Sequence, residues 1–128
     1  MTISLLQYIS DVKSEIRFLE NEITFYLNEI KLSNERIDLY LNRDLDTFQK
    51  NKLNEFKTTN IQLSEDIKAI YQEIDSFDDS LLHESNNTKV CEDTFEKYHS
   101  FKEKLDEVIN RYMDVKDQLV RFSISALR

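Results

Sequence analysis

The sequence predicts an all-α protein: an elongated antiparallel three-helix bundle, or coiled coil, with helices over about 3–43, 46–82 and 88–126. Three observations carry this. Isoleucine recurs every seventh residue at Ile9, Ile16, Ile23, Ile30 and Ile37. Such a repeat, with a second apolar row three or four residues away, lays one stripe down a helix that another helix must cover. Two later segments carry the same heptad. Finally, the 128 residues include no glycine and no proline, which sheet-rich folds need at regularly spaced turns.

In the first segment the isoleucines occupy position a, and Leu5, Val12, Leu19, Tyr26, Ser33 and Tyr40 occupy d. The pattern weakens after Ile30 and changes phase near Leu41, Leu45 and Phe48. Asn42, Asp44 and Asp46 compete for backbone hydrogen bonds and favour helix ends. Asp46 followed by Gln49 has capping-box spacing. The favoured reading is a tight connection near 43–46; the alternative is one long helix with a stutter.

The second segment has Leu53, Asn60, Ile67, Ile74 and Leu81 at a, with Phe56, Leu63, Ile70 and Phe77 at d. Its periodicity ends after Leu82, and the polar stretch 83–89 reads as a loop in which Asn87 or Thr88 caps the next helix. The third segment places Cys91, Tyr98, Leu105, Tyr112, Leu119 and Ala126 at a, and Thr94, Phe101, Val108, Val115 and Phe122 at d. Each segment corresponds to roughly 55–60 Å of helix at 1.5 Å per residue. Three rods of matched length with short connections make an up-down-up bundle, read as a single domain over 1–128.

Two features do not fit a single seam. Phe18, Phe25, Leu32 and Leu39 form a second heptad row at position c, roughly 130° from the centre of the a/d stripe at about 100° per residue. In the simpler reading this row completes the internal core, since each helix of a three-helix bundle touches two others. In the sharper one it is an external surface for a partner or a second copy. Asn60 interrupts an apolar row. A buried Asn there would fix register and partner choice, whereas the plainer reading puts it near a helix end or facing water.

Net charge is −8 and the isoelectric point is near 4.8. Residues 1–43 carry 5 basic and 7 acidic side chains, 44–84 carry 4 and 10, and 85–128 carry 8 and 8. No cluster of Lys and Arg is present to displace counterions from a phosphate backbone, so no nucleic-acid partner is expected. No apolar run approaches the ~20 residues that span a bilayer. The N-terminus lacks a basic flank and a small-residue cleavage pattern, and the single cysteine, Cys91, rules out an internal disulfide. Together these point to an intracellular protein, cytoplasmic or nuclear.

No chemistry is legible. Cys91 and His99 stand about 12 Å apart along one helix, too far for a thiol and its base. Glu96 and His99 form one E-x-x-H, but helical di-metal sites need two such motifs plus two more glutamates, and His83 has Ser80 where the second glutamate would stand. Neither a cofactor nor a metal is expected, and the chain is read as a non-enzyme.

The functional expectation is a scaffold or adaptor subunit that assembles through heptad seams with itself or with another coiled-coil protein. Its candidate partner-binding residues are Ile9, Ile16, Ile23, Ile30 and Ile37 on the seam, Phe18, Phe25, Leu32 and Leu39 on the second row, and Asn60 for specificity. The alternative is a small acidic accessory protein, a chaperone or inhibitor of a basic partner. It would be steered by Asp44, Asp46, Glu65, Asp66, Glu73, Asp75, Asp78 and Asp79.

Overall fold

A computed structural model of the chain describes the backbone of residues 5–83 and 88–127, and side chains at 7, 10–78 and 94–127. Those residues form three α-helices, α1 (Leu5–Leu41), α2 (Thr47–His83) and α3 (Thr88–Ala126), with no strand among them. The expected cap at Asn87 and the stretch 84–87 lie outside the described residues.

The connection at 42–46 is a true break between helices. The last turn of α1 tightens, with Arg43 N–H donating to the Tyr40 carbonyl at 3.0 Å, the shorter closure that helix ends commonly use. Asp46 then opens α2 through the capping box. Its Oδ1 accepts from Gln49 N–H at 2.8 Å, and Gln49 Oε1 accepts from Asp46 N–H at 2.9 Å, so two otherwise orphaned donors are satisfied reciprocally. The other end of the same Gln49 amide donates to the Ala126 carbonyl at 2.5 Å, and Arg43 donates to the Leu127 carbonyl at 3.3 Å. One short connection thus starts α2 and covers the exposed carbonyls that end α3.

Helix directions follow from which residues meet. Lys57 pairs with Asp38, and Lys104 with Glu73, so α2 runs antiparallel to both neighbours. Tyr98 reaches Glu15, and Lys116 reaches Glu29, so α1 and α3 run parallel. Exposed pairs of this kind stabilise by about 0–1 kcal/mol each; burial holds the bundle together. Ile16, Ile23, Ile30, Leu63, Ile67, Ile74, Leu105 and Tyr112 are essentially removed from solvent, each aliphatic one contributing roughly 1.5–3 kcal/mol relative to exposure.

The core has two parts. The larger runs from Val12 to Ile30 on α1, and a smaller one gathers Ile37, Leu53, Phe56, Leu119 and Leu127 beside the connection. Asn60 and Ser33 lie between them in the two heptad rows. Asn60 is fully buried, which corrects the expectation of a helix-end or water-facing position. Its Nδ2 donates to Ser33 Oγ at 3.2 Å and to Asn34 Oδ1 at 3.0 Å, so a polar layer crosses the apolar core.

A candidate docking face

The structure separates the two apolar rows of α1. Ile16, Ile23, Ile30 and Ile37 point inward and are covered by α2 and α3; the side chain of Ile9 lies outside the described residues. Phe18, Phe25, Leu32 and Leu39 are 59%, 56%, 47% and 69% exposed. The simpler expectation, that this row completes the core, is therefore overturned. The cause is angular. The a/d stripe and its immediate shoulders already meet both neighbours, through Leu27 and Asn34 on the α2 side and Glu15 and Glu29 on the α3 side. Position c lies outside that arc.

The exposed row does not stand alone. Leu32 and Val120 line the same groove between α1 and α3, with Tyr112 and Ser33 also on its walls. Met113 is one heptad before Val120 on α3, and Ile124 one turn after it; these are 48%, 42% and 54% exposed for Met113, Val120 and Ile124. Helical periodicity puts them on the same side as Val120. The result is a two-helix face on which Leu32 and Val120 stand across one groove whose walls also carry Glu29, Arg36 and Lys116; large apolar side chains left uncovered mark an interaction surface. The α3 members were missed in the sequence because they fall outside its a/d rows; the seven-residue step from Met113 to Val120 was the available signal.

Polar groups flank this face at its N-terminal end. The Tyr98 hydroxyl donates to Glu15 Oε2 at 3.0 Å. Burial, and then that hydrogen bond, push the Tyr98 hydroxyl up to about 12. Tyr112 is pushed up to about 12 as well, by burial first and the Glu29 carboxylate second; its ring packs edge-on against Tyr26 at 6.1 Å between centroids. Glu22 is raised above the ordinary carboxylate value by burial and by Asp106 across the groove, with Lys102 opposing.

The other sequence candidates are spread through the fold. Asn60 sits inside, with its carbonyl Oδ1 buried and without a hydrogen-bond partner, and so acts on packing between α1 and α2. Among the acidic candidates, Asp66 meets Arg111 at 3.7 Å, Glu73 meets Lys104 at 3.2 Å, and Asp46 is the α2 cap. Asp75 and Asp78 face Glu20, whose carboxyl is raised by burial first and by these two neighbours next. The Asp79 side chain lies outside the described residues, as do those of Cys91 and His83. Glu96 and His99 are exposed, and the His99 ring packs on Phe95 at 4.4 Å. Among the described residues no three His, Cys, Asp or Glu side chains gather to hold a metal, and no helix is long and apolar enough to cross a membrane.

No family model, curated protein or solved structure matches the chain.

Proposed function

We propose that this chain is a non-enzymatic helical interaction module, a scaffold or adaptor subunit acting inside the cell. Its a/d seams fold it, and its second apolar row docks a helical partner. The observation that supports this is the outward row of Phe18, Phe25, Leu32 and Leu39, with Val120 across one groove from Leu32 and Met113 exposed one heptad before Val120 on α3. Large apolar side chains repeated at heptad spacing on a rigid face offer a partner helix a ready-made seam. The seam isoleucines then serve indirectly, by holding the face straight. The acidic-accessory reading draws less support, because Asp46, Asp66 and Glu73 are already engaged within the bundle.

The test is affinity capture from the native cell with the wild-type chain and with a Phe25→Glu, Leu32→Glu variant. Both positions are exposed, so the variant keeps its helical circular dichroism. Helical proteins retained by the wild type and lost by the variant are the expected result. Identical retained sets would remove the reading.

A further inference from the structure

Resting on the reading of this face as a docking surface, we propose that its occupant is a second copy of this chain, packed antiparallel about a two-fold axis, α1 on α1 and α3 on α3. Symmetric interfaces of this type require one surface to be complementary to itself, and three independent features of the face meet that requirement.

The first is size. The outward row is evenly spaced, and its midpoint falls between residues 28 and 29. An axis there sets Phe18 opposite Leu39 of the second copy, and Phe25 opposite Leu32. At every level a ring meets a smaller aliphatic side chain, the large-to-small alternation that lets two rows interdigitate.

The second is charge along the flank nearest α3. Glu15, Glu22, Glu29 and Arg36 follow one another at heptad spacing. The same axis brings Glu22 to within one residue of the level of Arg36 of the second copy, twice by symmetry. Neither takes part in an ion pair among the described residues. Glu22 feels the Asp106 carboxylate and the Lys102 ammonium on α3, so an incoming guanidinium offsets a like-charge repulsion. Glu29, which meets its own copy near the axis, is already neutralised by Lys116 at 3.4 Å.

The third is where the excess negative charge sits. Segment 44–84, which holds α2, carries 4 basic and 10 acidic side chains, against 5 and 7 in 1–43 and 8 and 8 in 85–128. In the bundle α2 lies on the far side of the α1–α3 groove. Pairing through that groove therefore brings together the two helices of smallest net charge and keeps the acidic ones apart. A near-neutral face also gives no electrostatic reason for a strongly basic partner. From Phe18 to Leu39 the face runs about 33 Å and spans two helix widths. That is roughly 650 Å² per copy, and the pair clears the ~1,000 Å² expected of a specific interface.

Sedimentation equilibrium of the full-length chain from micromolar to millimolar concentration tests this. The wild type is expected to approach twice its 15.4 kDa mass, and Phe25→Glu to hold it at the monomer mass with unchanged helicity. Glu22→Arg or Arg36→Glu alone should weaken pairing by about tenfold or more, and the two together should restore most of it. In a Cys91→Ser background, Asn28→Cys, exposed beside the axis, should form an intermolecular disulfide. A monomer at every concentration, a dimer indifferent to Phe25→Glu, or charge reversals that fail to compensate would each overturn the self-pairing. The docking reading itself falls only on the capture experiment, so the two failures are distinguishable.

Discussion

Asn60 Nδ2 donates to Asn34 Oδ1 across 3.0 Å in the interior of the α1–α2 packing, while the other polar atom of the same amide has no partner. A buried polar group left unpaired costs about 1–3 kcal/mol, yet the two bonds on Nδ2 can form only when α1 and α2 are in this register. The arrangement exchanges stability for a unique alignment, as a polar a-position residue does in a coiled coil.

Asn60→Val should therefore stabilise the fold by about 1–2 kcal/mol in urea unfolding, since Ser33 and Asn34 are only partly buried and can return to water. Asn60→Asp should do the reverse, costing about 3 kcal/mol or more at neutral pH, because it places a charge where the buried amide oxygen has no hydrogen-bond partner and removes the donor to Ser33 and Asn34. A neutral or destabilising Asn60→Val with native packing would show that the orphaned oxygen is better solvated than its burial implies.

The capping box at the α1–α2 connection predicts a second pair of effects. Asp46→Ala removes the acceptor for Gln49 N–H and should cost about 1 kcal/mol. Gln49→Ala should cost at least as much, because that side chain also donates to the Ala126 carbonyl at the end of α3. The informative comparison is hydrogen exchange in the last turn of α3. It should quicken in Gln49→Ala and stay unchanged in Asp46→Ala.

Tyrosine ionisation gives a pH window. Tyr98 and Tyr112 are raised from the ordinary 10 to about 12 in the folded chain. A raised value in the folded state means that the stabilisation is complete below pH ~10, where both states hold the proton. It is then lost as pH climbs toward ~12, because the unfolded chain ionises first. Stability should fall across that interval, and the phenolate absorbance of these two rings should emerge only near its upper end. The Tyr98→Phe, Tyr112→Phe chain should show a shallower decline over the same range. An equal decline would assign the alkaline loss to other groups.

Glu20 carries the corresponding effect at low pH. Its carboxyl is raised by burial and by Asp75 and Asp78 on α2, so its protonated form suits the fold. That benefit is present below the unfolded value near 4.5 and is lost as pH rises. Glu20→Gln should accordingly raise the melting temperature at pH 7 and leave it unchanged near pH 4. A variant less stable than wild type at pH 7 would remove Asp75 and Asp78 as the source of the strain.

The heptads disclosed most of the architecture because a buried stripe leaves its period in the sequence. The a rows from Ile16 to Ile37 and from Leu53 to Ile74 are interior, and the Asp46–Gln49 spacing marked the start of α2 within one residue. The candidate site was only half legible. Phe18, Phe25, Leu32 and Leu39 announced a second row, but a one-dimensional pattern does not say on which side of two neighbours position c falls. Met113 and Val120 offered only their seven-residue step, because they join the row once α3 lies parallel to α1. Asn60 was singled out, but its burial was not, for the opposite reason: its partners Ser33 and Asn34 are polar residues of another helix, and no local rule links them.

The split between the two rows of α1 makes the sharpest stability contrast in the molecule. Ile30 and Leu32 are two residues apart and chemically alike, yet Ile30 is buried and Leu32 is 47% exposed. Ile30→Ala deletes packed atoms from the main core and should cost about 2–5 kcal/mol, with the value set by how far Ile67 and Tyr112 can close the cavity. Leu32→Ala, measured in solutions dilute enough to keep copies apart, should change stability by no more than about 0.5 kcal/mol. Urea unfolding of the two variants decides it. Comparable losses at both positions would mean that the second row is covered within the single chain, and the outward face would cease to exist.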